Sequence, residues 1–239
     1  MWIKICANTN LADAQLAADL GADALGFVFA PSKRQVTVEQ VAAITPHLPS
    51  SVATIAVVET RSAPEIAALV RATGLTGVQL HGGLDLPLVR ALRAELGPSV
   101  AIFQTLHWVV DTVDTEDGNG VNNTNADSAA LVAAQLREVA AEPAIAAVLL
   151  DAKVGNAGGG TGRSFDWNAA RETLAAASEA AGKPIHLIVA GGLRPENVTE
   201  AMRALRPWGV DVASGVEAAP GRKDPLKLKR FLENARTPS

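Results

Sequence analysis

The sequence of 239 residues predicts a single (β/α)8 barrel, with residues 1–239 forming one domain. Short apolar runs alternate with longer, alanine-rich amphipathic stretches, a pattern that is typical of strand–helix units around a parallel sheet. Eight such pairs fit in the chain at roughly 30 residues each, and eight units close a barrel. An open doubly wound sheet is the alternative. It would normally carry a glycine-rich phosphate turn after its first strand, where this chain has Ala7-Asn8-Thr9-Asn10.

The predicted strands are mostly continuous runs of aliphatic residues. Residues 144–150 and 185–190 show this best, with alanine, valine, isoleucine or leucine at nearly every position. Parallel strands of a barrel have this composition because both of their faces are buried. In chain order, the predicted strands are residues 2–6, 23–29, 52–58, 76–80, 100–106, 145–151, 185–190 and 209–213.

A predicted helix follows each strand, and capping residues mark several helix ends. Asn10 precedes the first helix, with Asp13 three residues later, and Gly21 ends it. Thr37 and Gln40 have the spacing of a capping box at the start of the second helix. In chain order, the predicted helices are residues 10–20, 38–46, 63–73, 84–96, 128–141, 167–181, 195–206 and 224–235.

Two stretches interrupt this alternation. Residues 107–127 are rich in aspartate, asparagine and glycine, and we expect them to form a surface loop between the fifth strand and its helix. Residues 152–163 contain five glycines and follow the sixth strand. Active sites of barrels lie at the face where the strands end, so this loop is expected to cover a bound substrate.

Composition and charge exclude several classes of protein. The net charge is −4 and only 4% of the residues are aromatic, so neither a basic surface nor an aromatic platform for nucleic acid is expected. No apolar run is long enough to span a membrane, and the N-terminus lacks the apolar core of a signal peptide. The single cysteine, Cys6, suits a reducing compartment. We therefore expect a cytoplasmic protein that binds neither nucleic acid nor membrane.

The residues that end the predicted strands should converge on one rim of the barrel. They are Cys6, the basic loop 30–36, His81, Asp151 and two small-residue turns at 191–192 and 214–215. Glycines let backbone N–H groups approach an anion, and barrel enzymes commonly bind phosphate after their last two strands. Alternatively, the glycines of either turn could serve only to make a tight turn. Because both occur in the last two units, Gly191, Gly192, Ser214 and Gly215 predict a site for a phosphorylated small molecule.

Acid–base chemistry is suggested by a thiol and a carboxyl group on this rim. Asp151 follows an aliphatic run, where burial can raise the pKa of its carboxyl group and make it a proton donor near neutral pH. Cys6 lies beside polar Asn8, although a lone cysteine is often only a small buried apolar residue. Asp151 could instead cap its loop. His81 could be a third acid–base group, although a hydrogen-bonded structural histidine is the commoner role. Arg34 suits a substrate carboxylate, with solvated surface charge as the alternative.

A set of short motifs runs in order through nearly the whole chain. The motifs are Lys4-Ile5-Cys6 with Asn8-Thr9, residues 21–29 with Ser32-Lys33-Arg34, Val78-Gln79-Leu80-His81-Gly82, Leu149-Leu150-Asp151, Gly159-Gly160-Thr161-Gly162 with Phe165-Asp166-Trp167, residues 190–193 with Pro195-Glu196-Asn197-Val198, and Asp211-Val212 with Ser214-Gly215-Val216-Glu217. Together they resemble the phosphoribosylanthranilate isomerases of tryptophan biosynthesis. Each motif is weak alone, but the ordered set is specific.

The resemblance implies an Amadori rearrangement of N-(5-phosphoribosyl)anthranilate to its 1-deoxyribulose 5-phosphate isomer. By the resemblance, Asp151 is the general acid that protonates the ribose ring oxygen, and the Cys6 thiolate is the base that removes the proton from C2. Arg34 matches the arginine that holds the anthranilate carboxylate, and His81 is expected to contact the substrate. We expect no metal and no cofactor, and a monomer or a homodimer.

The chain departs from the family pattern at three places. Ala7 follows the cysteine where the family usually has glycine, the third strand ends in Val58-Glu59-Thr60, and the insertion at 107–127 is long. Two other functions remain open. One is a barrel isomerase for another aminoaldose phosphate, such as the equivalent step in histidine synthesis, although the related enzymes have an aspartate where Cys6 stands. The other is a phosphate-binding protein that has lost the chemistry, against which the joint presence of Cys6, Arg34 and Asp151 argues.

Overall fold

Eight parallel strands close into a barrel in the computed structural model, which describes residues 1–110, 125–154, 167–181 and 185–237. Each strand pairs with the next in the sequence, and β8 returns to pair with β1, with Lys4 opposite Asp211. The predicted fold class is therefore confirmed. The strands are β1 (Trp2–Ile5), β2 (Ala24–Val28), β3 (Ala53–Val58), β4 (Gly77–Leu80), β5 (Ala101–Val110), β6 (Ala147–Val154), β7 (Leu187–Val189) and β8 (Gly209–Val212).

A helix follows each strand on the outside of the barrel. The helices are α1 (Leu11–Asp19), α2 (Val38–Ile44), α3 (Ala63–Thr73), α4 (Leu86–Leu96), α5 (Asn125–Ala141), α6 (Trp167–Ala181), α7 (Val198–Leu205) and α8 (Pro225–Arg236). Between β8 and α8 the chain forms a short 3-10 turn at Ser214–Val216 and a small antiparallel hairpin of β9 (Glu217–Ala219) and β10 (Arg222–Lys223). Within the described residues, no helix combines the length and apolarity needed to cross a membrane.

Local capping explains where the first helices begin. The Asn10 side chain accepts a hydrogen bond of 2.9 Å from the backbone N–H of Asp13, and Gly21 has a left-handed φ of +91°. Thr37 and Gln40 form the reciprocal bonds of a capping box. The predicted starts of α1 and α2 are confirmed because their side chains satisfy N–H groups that a helix leaves unpaired.

The predicted loop at residues 107–127 is wrong at its beginning and at its end. His107–Val110 continue β5, because they pair in register with Asp151–Val154 of β6, and α5 already begins at Asn125. The same pairing makes residues 152–154 strand, where the sequence predicted the glycine-rich loop. The remaining parts of the two predicted loops, 111–124 and 155–163, lie outside the described residues.

The seventh helix begins later than the sequence predicts. Residues 195–197 precede α7 as a turn, in which the Asn197 side chain accepts a hydrogen bond of 2.8 Å from the Arg194 N–H and donates one of 3.0 Å to the Gly192 carbonyl. Pro195 therefore lies outside the helix. This turn fixes the chain immediately after the predicted phosphate loop at 191–192.

The lower half of the barrel interior is filled by apolar side chains. The members of this layer are Ala24, Ile55, Phe103, Ala147, Leu149, Ile188 and Ala190, all at most 6% exposed. Trp2 stacks on Phe103 with ring centres 5.8 Å apart and on Trp208 at 5.1 Å. This layer blocks the N-terminal end of the barrel, so a ligand can reach the interior only from the end where the strands finish.

Candidate active site

The Cys6 thiol lies at the C-terminal end of β1, inside the mouth of the barrel. Its backbone N–H donates to the Val212 carbonyl at 2.8 Å, which continues the β1–β8 pairing, and the residue is 7% exposed. Ala7 directly after it has a left-handed φ of +61° and is 1% exposed. A residue with a Cβ is strained in this conformation, which is why glycine suits the position better.

A buried lysine accompanies the thiol. Lys4, two residues earlier on β1, is fully buried, and its ammonium group forms an ion pair of 2.9 Å with Asp211 of β8. A Cβ on Gly26 would lie 2.8 Å from the Cys6 sulfur and 3.1 Å from the Lys4 nitrogen, so both groups border the space above this glycine. Only glycine leaves room for them there.

Burial and the neighbouring positive charges act in opposite directions on the thiol. Burial, together with the negative charge of Asp211, raises the pKa of Cys6 above its ordinary value. The Lys4 ammonium group, which also hydrogen-bonds the sulfur, and Lys223 lower it, and the net direction is upward. Burial lowers the pKa of Lys4, but the charge of Asp211 and that of the thiolate outweigh it, so Lys4 stays protonated. Sequence analysis did not assign a role to Lys4 or Asp211.

Asp151 lies on β6 at the same mouth, separated from β1 by β7 and β8, and its carboxyl group has the raised pKa of a proton donor. The residue is 8% exposed, and burial, reinforced by the negative charge of Asp211, raises the pKa of its carboxyl group from 3.8 to about 7. Lys4 and the Ala152 N–H oppose this shift without cancelling it. The expectation of a buried carboxyl group with a raised pKa at this position agrees with the structure.

Two histidines lie next to this carboxyl group. His81 Nε2 is 3.9 Å from Asp151 Oδ2, and the His81 and His107 rings meet edge to face with centres 5.0 Å apart. His107 Nε2 is 2.9 Å from the His81 carbonyl oxygen. Sequence analysis placed His107 in a surface loop and missed it. Its pairing opposite Asp151 in the sheet is a long-range feature that no local pattern reveals.

These two histidines and Asp151 also form the group of described residues that could hold a metal ion. One ligand atom from each lies within 4.8 Å of the others. Ligands bound at about 2.1 Å to one tetrahedral ion are roughly 3.4 Å apart, so the three side chains would have to move closer together to share an ion.

The two predicted phosphate loops lie against one another and against Asp151. Gly191 and Gly192 have left-handed φ angles of +81° and +66°. A Cβ on Gly191 would collide with the Ala152 backbone nitrogen and lie 2.7 Å from Asp151 Oδ1, and one on Gly215 would collide with the Leu193 carbonyl oxygen. Ser214 begins the 3-10 turn that contains Gly215. The structure therefore brings the four residues of the predicted phosphate site together beside the predicted acid.

Arg34 is held by a carboxylate of the chain itself. Its Nε lies 2.9 and 3.0 Å from the two Glu217 oxygens, and its Nη2 lies 2.7 Å from one of them. Glu217 is buried and also accepts a hydrogen bond of 3.2 Å from the Gly221 N–H. Because Glu217 takes the Nε edge, the Nη1 edge of the guanidinium group is the one that suits a ligand carboxylate.

The hairpin of β9 and β10 fastens the Cys6 loop. Lys223 Nζ donates to the Cys6 carbonyl oxygen at 2.5 Å and lies 3.5 Å from Glu217 Oε1, while the Lys223 backbone N–H donates to Asp13 at 2.9 Å. Burial lowers the pKa of Lys223 against the opposing charge of Glu217. Sequence analysis missed this lysine, because it lies 217 residues from Cys6.

Comparison with known proteins gives one consistent result. The family model described as N-(5'phosphoribosyl)anthranilate (PRA) isomerase matches residues 3–128 and 122–234. An N-(5'-phosphoribosyl)anthranilate isomerase of Pelobacter propionicus is 37% identical over 243 residues, covering 98% of this chain and 95% of that protein. The crystal structure of phosphoribosyl anthranilate isomerase from Thermotoga maritima is 32% identical, with a TM-score of 0.76 over 99% of this chain and 98% of the other.

One solved relative carries a ligand. A phosphoribosyl anthranilate isomerase in complex with reduced 1-(o-carboxyphenylamino)-1-deoxyribulose 5-phosphate is 31% identical, with a TM-score of 0.73 over 99% of this chain and 98% of the other.

Proposed function

Because the chain belongs to the N-(5'-phosphoribosyl)anthranilate isomerase family, we propose that Cys6 and Asp151 carry out the two proton transfers of the family's reaction. That reaction is the Amadori rearrangement of N-(5-phosphoribosyl)anthranilate to 1-(2-carboxyphenylamino)-1-deoxyribulose 5-phosphate in tryptophan biosynthesis, an aldose–ketose isomerisation. The assignment of each residue below is our proposal, supported by the geometry of the barrel mouth.

Asp151 is the general acid. Protonation of the ribose ring oxygen opens the ring and leaves an iminium ion on the former anomeric carbon. With a pKa of about 7, about half of the Asp151 carboxyl groups carry a proton in a neutral solution, and the group is still acidic enough to donate it. The burial of Asp151 at the barrel mouth, with the raised pKa that follows from it, is the observation that carries the proposal, because an ordinary aspartate at pH 7 has almost no proton to donate.

Cys6 is the general base. Its thiolate removes the proton from C2 of the open-chain sugar, which gives an enolamine that tautomerises to the ketone. The sulfur lies at the same barrel mouth as Asp151, on the far side of the β1–β8 seam. The buried Lys4 ammonium group supports the anionic form of the sulfur.

The ends of the substrate are held by two further groups of residues. Gly191 and Gly192 after β7, with Ser214 and Gly215 after β8, bind the phosphate through backbone N–H groups. Arg34 binds the anthranilate carboxylate through its Nη1 edge, and His81 contacts the substrate beside Asp151. Neither metal nor cofactor enters this scheme, since both steps are proton transfers.

The catalytic roles are tested by Cys6→Ala and Asp151→Asn. We expect each variant to keep the circular dichroism spectrum of the barrel and to lose at least about 1,000-fold in kcat, because each group acts in a different proton transfer. Neither variant should restore growth to a tryptophan auxotroph that lacks only this step. Near-normal turnover by either one would remove that residue from the mechanism.

The carboxylate role is tested by Arg34→Ala against its neighbour Lys33→Ala. We expect Arg34→Ala to raise KM on the order of 100-fold, since a guanidinium–carboxylate pair in a partly buried site is worth about 2–3 kcal/mol. Lys33 is exposed in the same loop and serves as the matched control, with an unchanged KM. Equal effects of the two substitutions would contradict the assignment.

The chain is proposed to work as one barrel domain, as a monomer or a homodimer, in the cytoplasm. A reducing compartment keeps the lone Cys6 thiol available as a base. Light scattering of the purified enzyme at working concentration gives the assembly directly, and a mass of more than two chains would contradict it.

A further inference from the structure

A buried ion pair lies between the two proton-transfer groups of the barrel mouth. Lys4 on β1 and Asp211 on β8 are opposite one another in the sheet and form the 2.9 Å ion pair. Lys4 is fully buried and Asp211 is 9% exposed, so water screens this pair poorly. The pair crosses the seam between the first and the last strand, and a different proton-transfer group lies near each of its ends.

The ammonium end faces the thiol. Lys4 and Cys6 are two residues apart on one strand, so their side chains leave it on the same side. The Lys4 nitrogen and the Cys6 sulfur both lie within about 3 Å of the point where a Cβ on Gly26 would stand. A positive charge in this position stabilises a thiolate far more than a thiol.

The carboxylate end faces the acid. Leu150 pairs with Val189, and Val189 pairs with Val210, so Asp151 and Asp211, each one residue further on, are level with one another across β7. The charge of Asp211 is the strongest electrostatic influence on Asp151, and it favours the protonated carboxyl group. Lys4 acts on Asp151 in the opposite sense and more weakly.

We propose that the Lys4–Asp211 ion pair is a positioning element that assigns the protonation states of the site, its ammonium end favouring the thiolate of Cys6 and its carboxylate end favouring the neutral form of Asp151. Neither residue needs to touch the substrate for this. The inference rests on the proposed function, in which Cys6 is the base and Asp151 is the acid.

Other charged groups face Cys6 and Asp151 and also influence their protonation. Lys223, on the hairpin, lies on the carbonyl side of Cys6, and Arg34 interacts with the thiolate from the β2 loop. His81 from β4 and His107 from β5 lie beside Asp151. Among these groups, Lys4 and Asp211 each act on both proton-transfer residues. Lys4 lowers and Asp211 raises the pKa of each one, with Lys4 the stronger influence on Cys6 and Asp211 the stronger influence on Asp151.

The Lys4–Asp211 ion pair affects kcat/KM because of the order in which Asp151 and Cys6 lose their protons. The pKa of Asp151 is about 7, and burial raises the pKa of the Cys6 thiol above its ordinary value. The active form, with a thiolate and a neutral acid, is therefore the less populated of the two singly protonated forms. Every further unit of separation between the two pKa values lowers kcat/KM at the optimum about tenfold and widens the plateau of the pH profile by one unit.

The test is the double variant Lys4→Met/Asp211→Asn, compared with wild type. Removing both members avoids an unpaired buried charge, which would endanger folding. Each end of the pair acts most strongly on its own neighbour, so the thiol pKa should rise and the Asp151 pKa should fall. We expect kcat/KM at the optimum to drop at least about tenfold while the plateau widens by at least about one unit.

The thiol can be followed separately because Cys6 is the only cysteine of the chain. The pH dependence of its alkylation by iodoacetamide gives its pKa without turnover. A rise in the double variant supports the proposal. An unchanged alkylation profile, or a lower kcat/KM with an unchanged plateau width, would overturn it, since a purely structural pair lowers the height of the profile without changing its shape.

A matched control removes an ion pair at the other end of the barrel. Arg236 and Asp23 form a pair of 2.7 Å there, remote from the mouth. Arg236→Met/Asp23→Asn should reduce the unfolding temperature and leave the thiol pKa and plateau width unchanged; a shift of the thiol pKa in this control would also overturn the proposal. Failure of the base assignment is recognised independently, because it requires that Cys6→Ala retain turnover.

Discussion

The lower and upper halves of the barrel interior are built by the same strands but have opposite chemistry. On β6, Leu149 belongs to the apolar layer and Asp151, two residues later, lies at the mouth. On β1, Trp2 stacks on Phe103 and Lys4 carries a buried charge. Side chains two residues apart on a strand lie on the same face of the sheet. On each of these strands, a residue that stabilises the fold is therefore followed, on the same face, by a residue whose burial lowers stability.

This contrast teaches that the two halves should respond oppositely to substitution. Substitutions in the lower half should lower the free energy of unfolding and leave chemistry nearly unchanged. Substitutions of ionisable groups in the upper half should lower kcat/KM and can raise stability, because burying a charge that is not fully compensated destabilises the native state.

The largest effect is expected for Asp151→Asn, now measured on stability. The folded-state pKa of Asp151 is about 7 against an ordinary value of 3.8, so the native state binds more protons than the unfolded state between these values. Wild type should therefore lose roughly 4 kcal/mol of stability as the pH rises from below 4 to above 7, and Asp151→Asn should not. Urea unfolding of both proteins at pH 4 and pH 8 measures the difference.

The test is which of the two proteins is the more stable at pH 8. Asp151→Asn should be the more stable protein at pH 8 and nearly equal to wild type at pH 4. If the variant were less stable than wild type at pH 8, the carboxyl group would be stabilised by partners rather than penalised by burial, and the contrast between the two halves would be broken.

Leu149→Ala, in the lower half, should have the opposite effect to Asp151→Asn: it should lower the stability and leave kcat nearly unchanged. Removing a side chain that is 1% exposed leaves a cavity, and we expect a loss of about 2–5 kcal/mol in the free energy of unfolding. The kcat of the folded fraction should stay within about twofold of wild type. Leu131→Ala, at a position that is 51% exposed on α5, is the control and should cost under about 0.5 kcal/mol.

Gly26→Ala is a smaller change directed at the upper half alone. The new methyl group would stand 2.8 Å from the Cys6 sulfur and 3.1 Å from the Lys4 nitrogen, so both must move. We expect kcat/KM to fall about 10–100-fold, with a loss of about 1–3 kcal/mol in stability. Gly83→Ala meets no atom within 4 Å and should leave kcat/KM unchanged.

The smallest effect is expected for Ala7→Gly. Ala7 has a φ of +61°, which costs about 1 kcal/mol for a residue with a Cβ, so glycine should raise the unfolding temperature by a few degrees. The gain is limited because glycine also increases the entropy of the unfolded chain. A lower unfolding temperature for Ala7→Gly would show that the methyl group contributes more by packing than it costs in strain.

The lower half and the strand order could be predicted from the sequence, because both depend on local pattern. Aliphatic runs such as 144–150 indicate buried parallel strands. Eight predicted strands indicate a closed barrel, which the structure has. Cys6 and Asp151 were also visible, since each is the first chemically reactive residue after such a run.

The electrostatics of the upper half could not be predicted in the same way. A lysine within a short strand gives no sign that it is buried, and Lys4 meets Asp211 from 207 residues away. Glu217 approaches Arg34 across 183 residues, and His107 reaches the site only because β5 continues to Val110 and pairs there with β6, beyond the strand end predicted at residue 106. These contacts follow from closure of the barrel, which no local window of sequence contains.

The hairpin contact between Lys223 and Cys6 makes the thiol a natural reporter of folding. β1 is synthesised well before β8 and the hairpin, whose residues hydrogen-bond the backbone of Cys6. Until those segments dock, the sulfur of a nascent or refolding molecule is open to alkylating reagents. In the folded protein Cys6 is 7% exposed and reacts more slowly, so the rate at which labelling slows reports when these segments dock, without any introduced probe.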